Sequence, residues 1–274
     1  LGVDTLPDLN KDPGDRNRTS PFAFTGNRFE FRAVGSGQSV AGPLVVLNTI
    51  LADSLGWIAE QLEGRLSGGI PLEQAALAVL QEVMNQHSPV IFGGNGYSEE
   101  WHRMAVEERG LENLRTSADA LPVLRRDNVR ELFQRTGVLT SVELESRFEV
   151  YAEQYILAID VEAKLAVQIT RTQIIPAALR YLAEIGGALQ LAGQACGEIG
   201  QQISGLLQSI SSVSGRLQGA IDSAPHGTEA HLRYSAEVLV PLMTELRQAV
   251  DTLEALVDDG LWPLPTYQEM LFVR

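Results

Sequence analysis

The chain has 274 residues, of which 45% are hydrophobic and 20% are charged, a composition typical of one large or two ordinary globular domains. Its formal net charge is -14. Residues 1–35 carry five basic and five acidic side chains, so the whole negative surplus falls on the rest of the chain. Such a surface repels phosphate backbones and argues against nucleic acid as a partner.

An extended arm is predicted at residues 1–21. Three prolines, with aspartates and asparagines between them, interrupt both helical and strand patterns there. The arm brings Arg16 and Arg18 toward the segment that follows. A terminus without a fixed structure is the alternative.

A strand is predicted at about 24–34, where charged and aromatic residues alternate. Because side chains in a strand point to opposite faces with a period of two, Arg28, Glu30 and Arg32 share one face. The phenylalanines between them share the other face and can seal a core. The charged side chains would then point together into a cleft.

The charged face of this strand has the composition of a phosphoryl-transfer site. Arginines bind phosphate or carboxylate oxygens bidentately, and a carboxylate between them can hold a divalent cation. The same short pattern also occurs on surface strands whose ion pairs face water. The spacing by itself leaves both interpretations open.

Two helices are predicted next. Apolar residues at helical spacing indicate a long helix at about 41–65, expected to pack against a sheet that this chain lacks. The segment 66–71 contains two glycines and a proline and is the best candidate for a domain boundary. A second helix is predicted at about 72–87, ended by Pro89. The side of this helix expected to be buried carries Leu72, Ala76, Leu80 and Val83.

A glycine-rich segment, Phe92-Gly93-Gly94-Asn95-Gly96-Tyr97, follows the second helix. Three glycines beside Asn95 could cradle a phosphate, but the segment lacks the basic residue of a P-loop. We therefore interpret it as a structural turn. Ser98 is expected to cap the next helix, with Glu99 and Glu100 in its first turn.

From about residue 140 to 258 the sequence predicts a bundle of three antiparallel helices. Turns are expected at Gly186-Gly187 and at 223–227, and Pro176 is expected to kink or end the first helix. Each helix carries an apolar stripe. The first comprises Leu144, Phe148, Tyr151, Tyr155, Ala158, Leu165, Ile169 and Thr172; the second Leu189, Ala192, Cys196, Ile199, Ile203, Leu206, Ile210, Val213 and Leu217; the third Leu232, Ala236, Leu239, Met243, Leu246, Val250, Leu253 and Val257.

The N-terminal motifs resemble those of a known family. Asn17-Arg18-Thr19 followed by Arg28-Phe29-Glu30-Phe31-Arg32 is similar to the end of the glutamine synthetase catalytic domain, where an Asn-Arg-Ser/Thr turn precedes an Arg-x-Glu-x-Arg strand. The run from Asp15 to Asn27 resembles the type III branch in particular. Further similar segments are 33–36, 92–97, 144–149, 176–179 and Trp262-Pro263.

This resemblance implies an α+β fragment that is mostly α. Residues 1–66 would be the C-terminal strand and helix of a glutamine synthetase catalytic domain, and residues 67–274 a helical C-terminal domain containing the long-helix bundle. The implied reaction is the ATP-dependent ligation of ammonia to L-glutamate through a γ-glutamyl phosphate. The implied cofactor is Mg²⁺ or Mn²⁺, and the implied assembly is a homo-oligomer of stacked rings.

Four site residues follow from the same resemblance. Glu30 matches a ligand of an active-site metal ion, and Arg32 matches the catalytic arginine that binds glutamate and the transferred phosphate. Arg18 and Arg28 match arginines on the ATP-phosphate side. Other branches have a further arginine where Phe22 and Ala23 stand here, which leaves that role unassigned.

The remaining features concern location and alternatives. Cys196 is the single cysteine, which excludes an internal disulfide and fits a reducing, cytoplasmic compartment. We expect no membrane association, because no run of about 20 apolar residues is evident. The start at Leu1 rather than methionine leads us to expect a fragment. The alternative functions are a non-enzymatic helical scaffold with an N-terminal docking arm and a guanidino-kinase-like phosphotransferase.

Overall fold

The computed structural model describes residues 22–24, 29–31, 39–192, 194–265 and 267–271. For residues 22–24, 29–31, 189–192, 194–196 and 267–268 it describes the backbone alone. Within these residues the chain is mostly helical, as predicted. Strands β1 (Phe22–Phe24) and β2 (Phe29–Phe31) come first. The helices are α1 (Ala41–Ser67), α2 (Leu72–His87), α3 (Glu99–Glu107), α4 (Ser117–Ala120), α5 (Asp127–Arg135), α6 (Ser141–Ile169), α7 (Ile175–Ala192), α8 (Gln194–Asp222), α9 (Thr228–Tyr234), α10 (Val240–Glu254) and α11 (Tyr267–Leu271).

The chain forms two compact units. The first unit contains residues 1–114 and 130–140, and the second contains residues 115–129 and 141–274. The division therefore falls inside α5, and α1 and α2 belong to the same unit. The assignment of residues 1–66 to a catalytic domain stays a prediction.

In the first unit, α1 and α2 form a helical hairpin. The glycine pair predicted as a break supplies the turn, and Gly69 adopts a φ of 84° that favours glycine. Arg65 and Glu82 join the two helices by an ion pair of 2.8 Å.

The buried side of α2 differs from the prediction. Ala75 and Val79 are buried, whereas Leu72 and Leu80 are exposed. The sequence contains two apolar stripes one residue apart, and the prediction follows the one with larger side chains. Alanine at the contact lets two helices approach more closely, so the smaller residues lie inside.

Helix α1 leaves much of its apolar surface uncovered by the described residues. Thr49 is its only buried residue, and Leu44, Val45, Ile50 and Leu55 are all exposed. By length and composition α1 could cross a membrane, which differs from our expectation that no such run exists. A helix that packs against a further protein layer meets the same criterion.

The second unit is built around the predicted antiparallel bundle. Gly200 of α8 lies opposite Ile185 of α7, with Ile185 Cγ2 at 3.8 Å from an added Cβ. α7 and α8 therefore pack against each other, and the turn predicted at Gly186-Gly187 is wrong because both glycines lie inside α7. The second turn follows Asp222 as predicted, and the Tyr234 hydroxyl donates a hydrogen bond of 3.0 Å to the Ala220 carbonyl.

The core of the bundle confirms much of the second and third predicted stripes and corrects part of the first. In the second stripe Ile203, Ile210, Val213 and Leu217 are buried, and in the third Leu232, Leu239, Leu246, Val250, Leu253 and Val257 are buried. Ile199 of the second stripe is exposed, and the side chains of Leu189, Ala192 and Cys196 lie outside the described residues.

In the predicted stripe of α6 and the segment that follows, Leu144 and Phe148 are buried, and Tyr155 and Ile169 pack against the core while partly buried. Tyr151, Ala158 and Thr172 are exposed. Beyond Phe148 the buried residues are Ala152, Ile159, Ala163 and Val167, whereas Leu165 is exposed. After Phe148 a helix can step by three to Tyr151 or by four to Ala152, and the alanine packs inside.

Two prolines are accommodated without ending their helices. A π-helical segment, Thr170–Ile174, joins α6 to α7, and another, Ser235–Leu239, joins α9 to α10. A proline ring clashes with the carbonyl four residues earlier. For Pro176 and Pro241 that carbonyl lies inside a π segment, where the wider turn removes it from the path of the ring.

Arg125 joins the short helical turn Leu121–Arg125 to α6 and α9 within the second unit. Its guanidinium binds both carboxylate oxygens of Glu145, at 3.2 and 3.1 Å, and reaches Glu229 at 3.2 Å. It also lies 4.6 Å from the ring centre of buried Phe148. The ion pairs therefore cover one end of a small apolar cluster.

Tyr155 is expected to make stability fall at high pH. Burial, together with the negative charge of Glu162, raises the pKa of Tyr155 above its ordinary value of 10.0. The neutral phenol is thus favoured in the folded state, so its contribution is complete below pH 10 and is lost as pH rises through the folded-state pKa. The urea midpoint of the unsubstituted chain should fall more steeply above pH 10 than that of Tyr155→Phe. Parallel curves for the two proteins would contradict the shift.

Candidate functional site

The predicted catalytic strand is described at its centre. β1 and β2 are antiparallel, with Phe22 opposite Phe31, Ala23 opposite Glu30 and Phe24 opposite Phe29. Of the predicted strand over 24–34, the described residues thus belong to two strands rather than one. Arg18, Arg28 and Arg32 lie outside the described residues, so their roles remain predictions.

The strand register separates two kinds of position. Directly opposed residues lie on the same face of an antiparallel pair. The four phenylalanine positions therefore share one face, and Ala23 and Glu30 share the other. Sequence reasoning missed β1, although Phe-Ala-Phe and Phe-Glu-Phe on either side of Gly26-Asn27 form a recognisable hairpin signal.

The glycine-rich segment is a packed turn. The Phe92 ring stacks on Trp101 with centroids 3.8 Å apart, and a Cβ on Gly94 would lie 2.5 Å from the Phe92 ring. Asn95 accepts a hydrogen bond from the Tyr97 amide at 3.1 Å, and Ser98 caps α3 by accepting from the Trp101 amide at 3.2 Å. Glycine is therefore needed for close packing, in agreement with the structural interpretation.

Arg109 supports this turn from the far end of α3. Its Nη1 donates to the carbonyls of Pro89 and Ile91, at 3.1 and 2.7 Å. Its guanidinium carbon lies 5.0 Å from the Trp101 ring centre and 5.8 Å from that of Phe92. One side chain thus fixes both the entry to the turn and its aromatic pair.

Replacing Arg109 by leucine should destabilise the first unit. Two hydrogen bonds and a cation–π contact are lost, which we expect to lower the free energy of unfolding by about 1–3 kcal/mol. Urea denaturation followed by tryptophan fluorescence measures the change. Arg103→Leu, at an exposed position of α3, is the control and should shift stability by about 0.5 kcal/mol or less. Equal effects of the two substitutions would contradict the support by Arg109.

A long groove lies between α1 and α2 in the first unit. Its volume is about 1110 Å³, and its walls include Asp53 and Trp57 of α1, His87 at the end of α2 and Arg135 at the end of α5. The Arg135 guanidinium pairs with the Asp53 carboxylate. No feature of the sequence analysis pointed to this groove, because its three walls come from distant segments.

Metal ligands are not clustered among the described residues. No group of three or more histidine, cysteine, aspartate or glutamate side chains in the described ranges could hold an ion. Glu30 contributes its backbone alone to the described part. The metal site predicted at Glu30 therefore rests on the sequence.

The helical part of the chain matches a known domain family. Residues 75–192 match the family model described as the glutamine synthetase C-terminal domain. This range runs from α2 to the end of α7 and includes the turn supported by Arg109.

More specific relatives match almost the whole chain. It is 36% identical over 289 residues to the type-3 glutamine synthetase of Dictyostelium discoideum and 31% identical over 288 residues to the glutamine synthetase of Bacteroides fragilis (strain YCH46). Identity to the glutamine synthetase of Butyrivibrio fibrisolvens is 32% over 282 residues. The matches cover 96–100% of the chain but only 38–39% of each relative. The predicted resemblance to the C-terminal part of type III glutamine synthetases is confirmed.

Proposed function

We propose that the chain forms the C-terminal part of a type III glutamine synthetase, which joins ammonia to L-glutamate at the expense of ATP. The observation that supports this is the fraction of the chain that the relatives match. Two relatives match 100% of the chain, including the Arg-x-Glu-x-Arg segment that the family model over residues 75–192 does not cover.

The proposed chemistry divides between the charged residues of the first segment. Arg32 would bind glutamate and the phosphoryl group that its side-chain carboxylate accepts, so that ammonia can then displace phosphate. Arg28 and Arg18 would bind the phosphates of ATP. Preorganised arginines stabilise the charge that develops on the transferring group without reorganisation of solvent.

The donor set of this segment fits a magnesium or manganese ion. Mg²⁺ is usually held by one or two carboxylates together with substrate phosphates, so Glu30 can supply a ligand without a dedicated cage. The ion would neutralise charge on the phosphoryl group. Glu30 lies opposite Ala23, and among the described strand positions the phenylalanines are all on the other face.

The proposed function extends to location and assembly. The chain spans 38–39% of the length of its relatives, and we infer that by itself it is inactive because one proposed metal ligand does not complete the site. We infer that the complete enzyme is cytoplasmic and that its subunits assemble into stacked homo-oligomeric rings. The exposed apolar face of α1 would pack against the remaining part of the catalytic domain.

A chimeric enzyme tests this function. The 39% of the Bacteroides fragilis glutamine synthetase that matches this chain is replaced by residues 1–274. ATP-dependent glutamine formation by the assembled chimera is the expected result. A second chimera takes only residues 67–274 from this chain. If the second is active and the first assembles but is inactive, residues 1–66 do not supply the site and the scaffold function is favoured.

A further inference from the structure

Asn95 is the only asparagine of the chain that is followed by glycine. Glycine lacks the Cβ that would hinder an approach to its own amide nitrogen. The Asn95 side chain therefore reaches the nitrogen of the following residue more easily than any other asparagine in this sequence. Asn113, which lies in another exposed loop and is followed by Leu114, offers an internal comparison.

The fold holds the Asn95 side chain over the peptide bond that joins it to Gly96. The Tyr97 amide donates a hydrogen bond of 3.1 Å to Asn95 Oδ1, which closes an Asx-turn around this peptide bond. A donor at the side-chain oxygen also stabilises the negative charge that develops there when a nucleophile attacks Asn95 Cγ. The turn thus supplies both position and polarisation.

The Gly96 nitrogen is accessible for such an attack. A backbone amide inside a helix or a sheet is held by its own hydrogen bond. The Tyr97 and Ser98 amides both donate to Asn95, but no hydrogen bond among the described residues engages the Gly96 amide. Asn95 is exposed and Gly96 is partly exposed, so water and hydroxide reach this peptide.

We propose that Asn95 is a site of spontaneous deamidation. The Gly96 nitrogen, after losing its proton to hydroxide, attacks Asn95 Cγ. A C–N bond forms, the bond between Cγ and Nδ2 breaks, and ammonia leaves with a proton taken from water. A second water molecule opens the resulting succinimide ring at either carbonyl, which gives aspartate or isoaspartate. The net reaction consumes water and releases ammonia, and it does not depend on the function proposed above.

The isoaspartate product is expected to loosen the start of α3. In isoaspartate the main chain runs through the former side chain and is one methylene longer. The Asn95 carbonyl accepts hydrogen bonds from the Ser98 amide at 3.2 Å and from the Ser98 hydroxyl at 3.0 Å, and it would no longer belong to the main chain. Ser98 caps α3, and Trp101 in the first turn of that helix stacks on Phe92. The cap and the ring pair are therefore both affected.

Incubation of the 274-residue chain at mildly alkaline pH tests the proposal. Peptide mass spectrometry follows the conversion of each side-chain amide to a carboxylate, and methylation by protein isoaspartate methyltransferase measures isoaspartate. Asn95 should be converted at least about tenfold faster than Asn113, because Asn95 precedes a residue without a Cβ. The rate should rise with pH, since the attacking nitrogen must lose its proton.

A pair of glycine variants identifies the nucleophile. Gly96→Ala adds a Cβ beside the attacking nitrogen and should slow the conversion of Asn95 by about tenfold or more. Gly93→Ala is the control, because nothing described lies within 4 Å of a Cβ added there and the residue does not adjoin Asn95. The rate in this variant should not change. Thermal melting should show that both variants are folded.

A synthetic peptide of residues 91–100 separates the effect of the fold from that of the sequence. The peptide contains the same Asn-Gly pair, but its chain samples many conformations. The folded protein holds Asn95 in the Asx-turn. Asn95 should therefore react at least as fast in the folded chain as in the peptide.

The consequence for α3 is measured on aged and fresh protein. After conversion to isoaspartate, urea denaturation followed by tryptophan fluorescence should show a lower midpoint for the first unit. Asn95→Asp adds the same charge without lengthening the main chain, so the fresh variant should keep the midpoint of the unsubstituted chain. Gly96→Ala, aged under the same conditions, should keep its own midpoint.

Several outcomes would overturn the proposal. Equal conversion of Asn95 and Asn113, or a rate unaffected by Gly96→Ala, would show that the Gly96 nitrogen is not the nucleophile. A slower reaction in the folded chain than in the peptide would show that the fold protects Asn95. An unchanged urea midpoint after conversion to isoaspartate would show that the start of α3 does not depend on the Asn95 carbonyl.

Discussion

Replacing Glu30 by glutamine in the active chimera is expected to slow glutamine formation by about a hundredfold or more. The substitution keeps the size of the side chain and the strand that pairs Glu30 with Ala23, but it removes the charge that would hold the metal ion. Raising the Mg²⁺ or Mn²⁺ concentration should restore part of the rate. Steady-state kinetics at several metal concentrations measure both effects.

The control for this prediction is a carboxylate elsewhere in the same unit. Glu63→Gln, at an exposed position of α1, should leave the rate unchanged, and both variants should assemble and melt like the unsubstituted chimera. If Glu30 forms only a surface ion pair, its loss costs about 0–1 kcal/mol of stability and no activity. Near-normal turnover at ordinary metal concentration would remove Glu30 from the active site.

Replacing Leu246 by aspartate is expected to unfold the bundle or to lower its free energy of unfolding by about 3–5 kcal/mol. Leu246 is 2% exposed in the main core of the second unit, so the new carboxylate would be buried without a partner. Urea denaturation followed by circular dichroism at 222 nm measures the loss.

Two further substitutions test whether the loss of stability depends on how deeply the position is buried. Leu206 packs against the same core but is only partly buried, so Leu206→Asp should cost less than Leu246→Asp. Gln248→Asp, at an exposed position on α10, should cost about 1 kcal/mol or less through helix propensity. An equal loss in all three variants would show that burial in this core does not decide the effect.

Features with local signals could be predicted from the sequence. Glycine and proline between α1 and α2, Ser98 before α3, and the heptad spacing of α10 and of α8 from Ile203 onward each act within a few residues, and the structure agrees with the prediction at each of them. The buried faces of α2 and α6 could not be predicted in the same way. There an alanine stripe competes with a stripe of larger residues, and the choice depends on how closely a neighbouring helix approaches.

Only those features of the candidate site that depend on a single short segment of the chain could be predicted. Alternation identified the strand and its charged face, but β1 and the groove depend on pairing between separate parts of the chain. Arg18, Arg28 and Arg32 lie outside the described residues, so the catalytic roles still rest on the resemblance and on the chimera experiment.

The two π-helical segments have a consequence for how this bundle tolerates changes in length. A π turn accommodates one more residue than an α turn, so each segment advances the angular phase of every later side chain by about 100°. Deleting one residue from Thr170–Ile174 is therefore expected to convert the π turn to an α turn, and α7 would keep the same face toward α8. Each π segment thus divides its continuous helix into two halves whose hydrophobic phases can be set independently.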